Sequence, residues 1–314
     1  MVLSRISRKD LKASLRGSVS NDNQLKLLKK KDYNELVNVL SDSFLDDPLF
    51  NWTAGLDNND SDDAEDMIDN SSSTKRRGSI LKLNQSLMGW LNRPILFRKK
   101  GIVLGIKAPP AAATRTDSNK NSSSSSSGAL AGAVVITPGH KSIDGVMDTL
   151  TNLMKVGIPP LYTKEKVNYG PHADKRLESM TVLSKKKQAL MKKYNSGYIY
   201  IQTIGVMGQH QGKGLGGKLL REIIQVADSI DAPLYLETES KENESLYQHF
   251  GFHTAETLEL EAKGSDKKQK MWLMIRNPPE KKENTVQLTE HWWCVLVAYA
   301  TLWMTDILLS PFVY

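Results

Sequence analysis

The stretch from Tyr198 to Phe252 constrains the fold most, because strand-like and helix-like segments alternate there around a glycine-rich turn. Residues 198–206 are rich in aromatic and β-branched side chains, which favour a half-buried strand. After the turn, apolar residues recur at helical spacing from Leu215 to Ala227 and predict an amphipathic helix. A second short strand follows at 234–238, and Ser240 is placed to cap a second helix. The stretch therefore predicts two strand–helix units in sequence.

The glycine-rich turn, residues 211–216, is where a ligand is expected to bind. Backbone without side chains lets a ligand approach closely, and the N–H groups of a first helical turn are unpaired. Such a helix start is a site for a phosphate or pyrophosphate. A P-loop is excluded, because Gly208 lies one residue too close to Gly212-Lys213 and Gly214 replaces the required hydroxyl residue.

A dinucleotide-binding fingerprint is the second interpretation of the turn. Residues 212–217 satisfy GxGxxG, and Glu237 lies about twenty residues later, where a ribose-binding acid belongs. The surroundings disfavour it, because Met207 to His210 separate the strand from the glycines. Too little chain follows, in addition, for the remaining units of a doubly wound sheet.

The whole stretch resembles the GNAT superfamily of acyl-CoA N-acyltransferases. The family's pyrophosphate loop reads Gln/Arg-x-x-Gly-x-Gly/Ala after a strand that ends in Val. The matching residues are Val206, Gln211, Gly214 and Gly216. The family's later Asn-x-x-x-Tyr and Gly-Phe signature is matched at Asn243, Tyr247 and 251–252. The phrases HQGKGLG, LYLET and LYQHFGF are most similar to the branch containing puromycin N-acetyltransferase.

The resemblance implies both a fold and a donor substrate. The expected fold is α/β (α+β), a GNAT fold with a mixed central sheet of about six to seven strands flanked by helices. The donor would be acetyl-CoA, and no metal is implied, since the six histidines show no ligand spacing. In the family, the strand before the loop splays from its neighbour and pairs with the pantetheine arm. The expected coenzyme-binding residues are Ile204, Val206, Gln211, Gly212, Lys213, Gly214, Leu215, Gly216 and Asn243.

The resemblance also implies an acid and leaves the base less defined. Tyr247 stands at the family's general-acid position and would protonate the coenzyme A thiolate, since a phenol with a pKa of about 10 suits a thiol near 8.5. The alternative is that Tyr247 only packs its helix. Many members carry a glutamate on the central strand, where this chain has Tyr200 and Gln202. Glu237 is the expected base, and Glu239 is the second candidate.

The acceptor amine is expected near residues 43–52, SFLDDPLFNW. This phrase is similar to the one that ends the first helix in the same branch, where the segment helps to form the acceptor side of the cleft. Asp46 and Asp47 would then face a cationic acceptor. Alternatively, Asp47-Pro48 merely starts a turn.

Composition indicates that only part of the chain is folded. The apolar fraction is 39% of 314 residues, which is low for a globular protein. We predict a basic disordered tail at 1–23, with a transit peptide as the alternative, and an acyltransferase domain at 24–279. Disordered insertions are predicted at about 57–79 and 109–128, where acidic, serine-rich and basic runs lack apolar periodicity. Residues 280–314 form a hydrophobic tail.

Several elements are expected within the domain. Residues 25–28 read as an edge strand, and residues 101–108 and 129–137 as a hairpin whose tip carries the serine-rich insertion. Residues 142–156 have the apolar spacing of a helix, and residues 271–275 are expected to form the last strand.

The hydrophobic tail and the net charge bear on partners. Residues 292–314 are apolar except for Asp306 and are long enough to span a membrane. The alternative is a helix packed on the domain or on a partner. The net charge of +7 suits coenzyme A, a nucleic acid or an anionic membrane, and no nucleic-acid module signature is present. The single Cys294 excludes an intrachain disulfide and fits an intracellular, cytoplasmic protein.

The leading hypothesis is an N-acetyltransferase, an acyltransferase for groups other than aminoacyl groups. It would move an acetyl group from acetyl-CoA to an amine of a small molecule or peptide, directly in a ternary complex. The alternative is a non-catalytic acyl-CoA-binding or membrane-tethered interaction protein on the same scaffold.

Overall fold

The computed structural model describes residues 6–54, 70–109, 128–139, 173–195 and 197–280. The chain divides into two units, Met1–Pro278 and Pro279–Tyr314, and the fold given below is that of the first. The hydrophobic segment 292–314, the predicted helix at 142–156 and residues 110–127 of the serine-rich insertion lie outside the described residues. Among the helices that are described, none combines the length and apolarity needed to cross a membrane.

Helices and strands alternate irregularly along the described chain. The helices are α1 (Arg8–Asn21), α2 (Tyr33–Ser43), α3 (Pro48–Ala54), α4 (Asn70–Phe97), α5 (Ala173–Met191), α6 (Leu215–Ser229) and α7 (Lys241–His249). The strands are β1 (Leu25–Leu27), β2 (Ile102–Lys107), β3 (Leu130–Pro138), β4 (Ile199–Val206), β5 (Leu234–Thr238), β6 (His253–Leu260) and β7 (Gln269–Arg276).

The strands form one mixed sheet in the order β1-β2-β3-β4-β5-β7-β6. Only β4 and β5 run parallel, and every other neighbouring pair is antiparallel. This confirms the predicted mixed sheet of six to seven strands flanked by helices, and also the hairpin of β2 and β3. Strand β6 was missed, because its solvent-facing positions alternate with only half-buried ones and carry no apolar run.

The two faces of the sheet are covered by different helices. Alternate residues of one strand point to opposite faces. Val134 accordingly packs in the cluster built with α1 and α6, whereas its neighbour Val135 packs with α2 and α4. Helix α5 covers the tyrosines of β4 and β5 in a third cluster.

The N-terminal segment corrects the prediction of a disordered tail at 1–23. Residues 8–21 are helical, and the Ser7 hydroxyl caps the helix by accepting a hydrogen bond from the Asp10 N–H at 3.2 Å. Leu11 and Leu15 are fully buried against the sheet and α6. Basic residues occupy most other positions, so two leucines four residues apart were too sparse a signal to outweigh the charge.

The substitution Leu15→Ala tests whether this helix belongs to the folded domain. We expect the free energy of unfolding to fall by about 2–5 kcal/mol, the usual cost of truncating a buried leucine. Chemical denaturation of the full chain measures it, with the exposed Lys9→Ala on the same helix as the control. Equal stability of the two variants would mean that the segment is not part of the core.

The acidic insertion also ends earlier than predicted. Helix α4 begins at Asn70, so residues 70–79 of the predicted disordered segment 57–79 are helical. The apolar part of α4 packs on α2, where Met88 is fully buried and the Asn84 amide donates to the Phe44 carbonyl at 2.8 Å. Because helix propagation is cooperative, a packed segment extends into polar sequence that has no apolar period of its own.

Candidate active site

The sheet opens between its two parallel strands. Strands β4 and β5 pair only at Ile199–Leu234 and Tyr200–Tyr235, although β4 stays paired with β3 as far as Val206. A register shift against β3 leaves Gln202 as an extra residue in β4. From that bulge onward the backbone edge of β4 that faces β5 is not paired with it. The splay implied by the family resemblance is therefore present.

A cleft of about 910 Å³ lies at this opening. The glycine-rich loop and α7 form one wall, with Gly208, Gln211 and Asn243 among the lining residues. The other wall comes from the α2–α3 segment, α4 and α5. It is mostly apolar, and its larger side chains are Phe44, Leu49, Phe50, Trp90, Met180 and Leu183. The cleft thus joins the predicted coenzyme loop to the predicted acceptor segment.

The loop has the backbone that its glycines predict. Gly212 and Gly214 have φ of +72° and +75°, in the left-handed region that favours glycine. Gly214 precedes α6 without any side-chain cap, so the N–H groups of the first helical turn face outward for an anion. No atom lies within 4 Å of a Cβ built at either glycine, which leaves room for a ligand beside the backbone.

The predicted coenzyme residues divide into two groups. The Gln211 amide donates to the Val206 carbonyl at 3.0 Å, and the Lys213 ammonium donates to the Gln209 carbonyl at 3.0 Å, so both side chains brace the loop. The Leu215 side chain is buried in the core, as Ile204 and Val206 partly are, and these three can meet a ligand only through their backbone.

Tyr247 lies on the cleft side of α7. Ser240 caps this helix as predicted, since its hydroxyl accepts a hydrogen bond from the Asn243 N–H at 3.1 Å. The Tyr247 ring packs against Phe252 with centroids 5.8 Å apart, and its hydroxyl makes no hydrogen bond within the described part of the chain. Burial raises the pKa of Tyr247, and the nearby carboxyl groups of Glu239 and Asp47 raise it further. The phenol therefore stays protonated.

Asp47 and Glu239 form a carboxyl pair in the cleft. Burial raises the pKa of Asp47 well above its ordinary value, and the adjacent Glu239 raises it further. Burial also raises the pKa of Glu239, whose carboxylate accepts a hydrogen bond from the Asn243 amide at 3.2 Å. Asp47 also accepts from the Phe50 N–H at 2.8 Å and so starts α3, as the turn alternative predicted. Two partly buried carboxyls in contact favour a shared proton.

Glu237, the predicted base, also lines the cleft but is not part of this carboxyl pair. Its carboxylate accepts hydrogen bonds from the hydroxyls of Tyr200 at 2.6 Å and Tyr235 at 3.0 Å. The buried ammonium of Lys187 lies 4.0 Å from the centroid of the Tyr200 ring. Burial lowers the pKa of Lys187 to about 8, although Glu237 opposes this change. Both oxygens of Glu237 are engaged, and the carboxyls that face Tyr247 are instead Asp47 and Glu239.

The amino-acid sequence indicates this arrangement only in part. Tyr235 and Glu237 share one face of β5, and Glu239, one residue beyond the strand, continues the alternation, which the strand period could have shown. The sequence does not show that Glu237 is held by hydrogen bonds whereas Glu239 pairs with another carboxyl. This difference depends on Tyr200 and Asp47, which come from distant segments. Among the described residues, no group of three or more His, Cys, Asp or Glu side chains could hold a metal ion.

The substitution Asp47→Asn tests the carboxyl pair through stability. A raised pKa means that the folded state binds more protons, so the stabilising contribution is present at low pH and is lost as pH rises. Asn keeps the cap and removes the repulsion. We therefore expect the variant to exceed the wild type by about 1 kcal/mol at pH 8 and to match it at pH 4.

Urea denaturation at the two pH values measures the effect. Asp46→Asn is the control, because the Asp46 side chain is 82% exposed and forms only a surface ion pair with Arg77 at 3.4 Å. A loss of stability in Asp47→Asn that is equal at both pH values would contradict the coupling.

The sequence of this region matches a known family. Residues 183–252 match the family model described as Acetyltransferase (GNAT) family. A curated protein of Schizosaccharomyces pombe, named an uncharacterized N-acetyltransferase, is 31% identical over 101 residues. That alignment covers 32% of this chain and 40% of the yeast protein, so the match spans less than half of the relative's length.

Solved structures align with this chain at low identity. A histone acetyltransferase HPA2 and related acetyltransferase of Corynebacterium glutamicum is 14% identical, with a TM-score of 0.42 over 82% of this chain and 98% of that one. A polyamine N-acetyltransferase of Drosophila melanogaster is 12% identical, with a TM-score of 0.45 over 81% and 98%. Similarity this low has no bearing on activity. The match to the Acetyltransferase (GNAT) family is thus confined to residues 183–252, the segment that builds the glycine-rich loop and the Tyr247 helix.

Proposed function

We propose that the protein is an N-acetyltransferase that moves an acetyl group from acetyl-CoA to an amine of a small molecule or peptide. The family match supports acetyl transfer in general. The observation that carries the proposal is a single cleft that joins the left-handed glycine loop, the splayed edge of β4, the buried phenol of Tyr247 and a carboxyl pair. Within the family, the puromycin N-acetyltransferase-like branch stays a prediction from sequence, as does an intracellular, cytoplasmic location.

The residues present fit acetyl-CoA as the donor. The outward N–H groups at Gly214, Leu215 and Gly216 would hold its pyrophosphate, since a helix start with free donors attracts anions. The unpaired edge of β4 offers backbone groups for the amides of the pantetheine arm. A backbone N–H near Val206 or Ile204 would polarise the thioester carbonyl as negative charge develops on its oxygen.

The acceptor amine would lie against the carboxyl pair of Asp47 and Glu239. Carboxylates attract an ammonium group, and the apolar wall of Phe44, Leu49 and Phe50 would take its hydrocarbon part. A carboxylate of the pair takes one proton from the ammonium, and the neutral nitrogen then attacks the thioester carbon. The C–N bond forms, the C–S bond breaks, and Tyr247 donates its proton to the departing thiolate. The attacking nitrogen loses its second proton as the amide forms, and that proton restores the Tyr247 phenol. Glu237 is proposed to hold Tyr200 in place rather than to take a proton from the acceptor ammonium.

Initial rates with both substrates varied test the direct transfer. The full chain is incubated with acetyl-CoA and a panel of primary amines, and release of the coenzyme A thiol is followed. Direct transfer in a ternary complex predicts intersecting reciprocal plots, whereas parallel plots would indicate a covalent enzyme intermediate. If acetyl-CoA binds but no amine of the panel causes release of the coenzyme A thiol, the non-catalytic alternative is favoured. That alternative is motivated by the absence of an Asp or Glu side chain on β4.

A further inference from the structure

Basic side chains gather at the end of the sheet that lies opposite the glycine-rich loop. Strand β2 begins at Ile102 beside the end of β3, and β4 begins beside that same end of β3 and runs away toward the loop. Helix α1 starts at this end, where the Arg8 guanidinium donates to the Gly101 carbonyl at 2.7 Å. The segments that follow β1 and α4 reach the same end, because β1 finishes opposite Leu104 of β2 and α4 leads directly into β2.

The basic patch is a cluster of lysine and arginine side chains. Its members, none of which forms an ion pair within the described ranges, are Lys12, Arg16, Lys29, Lys30, Arg93 and Lys99. They come from three separate segments. Burial lowers the pKa of Lys12, and the charges of Arg16, Arg8, Lys29 and Lys99 lower it further. The charges that act on Lys12 therefore come from α1, from the segment after β1 and from the segment after α4.

An exposed aromatic ring lies within the basic patch. Phe97 is 39% exposed, and the Lys30 ammonium and the Arg93 guanidinium lie 5.5 and 5.7 Å from its ring centroid. Tyr33 contacts its edge with centroids 5.4 Å apart. An apolar ring flanked by cations suits the boundary of an anionic bilayer. There the ring contacts the acyl region, and the cations contact phosphate and carboxylate groups.

We propose that the basic patch docks the domain on an anionic membrane surface, with the glycine-rich loop at the far end of the sheet. The partner is a bilayer that contains acidic phospholipids, and the interaction is electrostatic with Phe97 as the apolar contact. This surface is separate from the cleft and does not depend on the proposed acetyl transfer. Binding should weaken with ionic strength, because the contacts lie at an exposed surface.

Sedimentation of the full chain with vesicles tests the proposal. Vesicles of phosphatidylcholine alone report any binding through the apolar residues 292–314. Vesicles with about 30% phosphatidylserine report the additional electrostatic binding. Phosphatidylserine should raise the affinity of the wild type for vesicles, and we expect this gain to be at least about thirtyfold smaller in the double variant Lys30→Glu/Lys99→Glu. Binding of the variant to phosphatidylcholine alone should be unchanged. The control Lys185→Glu/Lys263→Glu makes the same change in charge at exposed lysines outside the patch.

Two results would overturn the proposal. One is an equal loss in both double variants, which would indicate a response to net charge alone. The other is displacement of the protein from serine-lipid vesicles by low concentrations of poly(U), which would assign the patch to a nucleic acid. Thermal unfolding and acetyl-CoA titration of each variant show that the fold and the distant cleft are intact.

Discussion

Replacing Tyr247 by Phe is expected to lower kcat for acetyl transfer by about 10²–10⁴-fold, the usual contribution of a positioned general acid. The dissociation constant for acetyl-CoA should change by less than about twofold. The reason lies in the packing: the ring is buried against Phe252, and phenylalanine keeps that contact while losing only the hydroxyl. Steady-state kinetics and calorimetric titration of the same preparation separate the two effects.

Tyr194→Phe is the matched control for this experiment. Its hydroxyl donates to the Asn277 side chain at 3.0 Å, neither of these residues lines the cleft, and loss of the hydroxyl should leave kcat unchanged. An unaltered kcat in Tyr247→Phe would remove the phenol from the mechanism. A parallel loss of acetyl-CoA affinity would instead make Tyr247 a packing residue of α7.

Replacing Gly214 by Glu is expected to weaken acetyl-CoA binding at least about a hundredfold, which corresponds to about 3 kcal/mol. Any L side chain at φ +75° strains the backbone at the start of α6. A glutamate there also places a carboxylate where the pyrophosphate would lie, so it repels the donor and competes for the same N–H groups. Calorimetric titration measures the loss directly.

Gly264→Glu separates backbone strain from ligand repulsion. Gly264 has a φ of +84° in the exposed turn between β6 and β7, away from the cleft. We expect a similar small loss of stability and full affinity for acetyl-CoA in this variant. Affinity that stays intact in Gly214→Glu, in a protein shown to be folded, would mean that the loop does not hold the donor.

The central part of the fold could be read from the sequence because local signals agree there. Strand β5 was predicted to the residue, and the start of α6 and the cap of α7 lie where the glycines and Ser240 place them. In these segments the apolar period, the turn residues and the caps all point to the same structure. The N-terminal helix lacks that agreement, since Leu11 and Leu15 are its only fully buried side chains.

The candidate site was predictable only where one segment builds it. The loop and Tyr247 lie within a continuous stretch, so their spacing carries the pattern. The carboxyl pair joins Asp47 to Glu239 from segments nearly two hundred residues apart, and no local period links them. The same holds for the tyrosines that engage Glu237, because the pairing of β4 with β5 decides which hydroxyls reach it.

Transfer of a labelled acetyl group shows whether the protein acetylates an amine. The full chain is incubated with acetyl-CoA that carries ¹³C in the acetyl carbons, together with a mixture of primary amines, and the amines are analysed by mass spectrometry. We expect a ¹³C-acetylated amine whose formation falls at least about a hundredfold in Tyr247→Phe. Labelled donor that is bound by the folded protein, with no label on any amine, would contradict it.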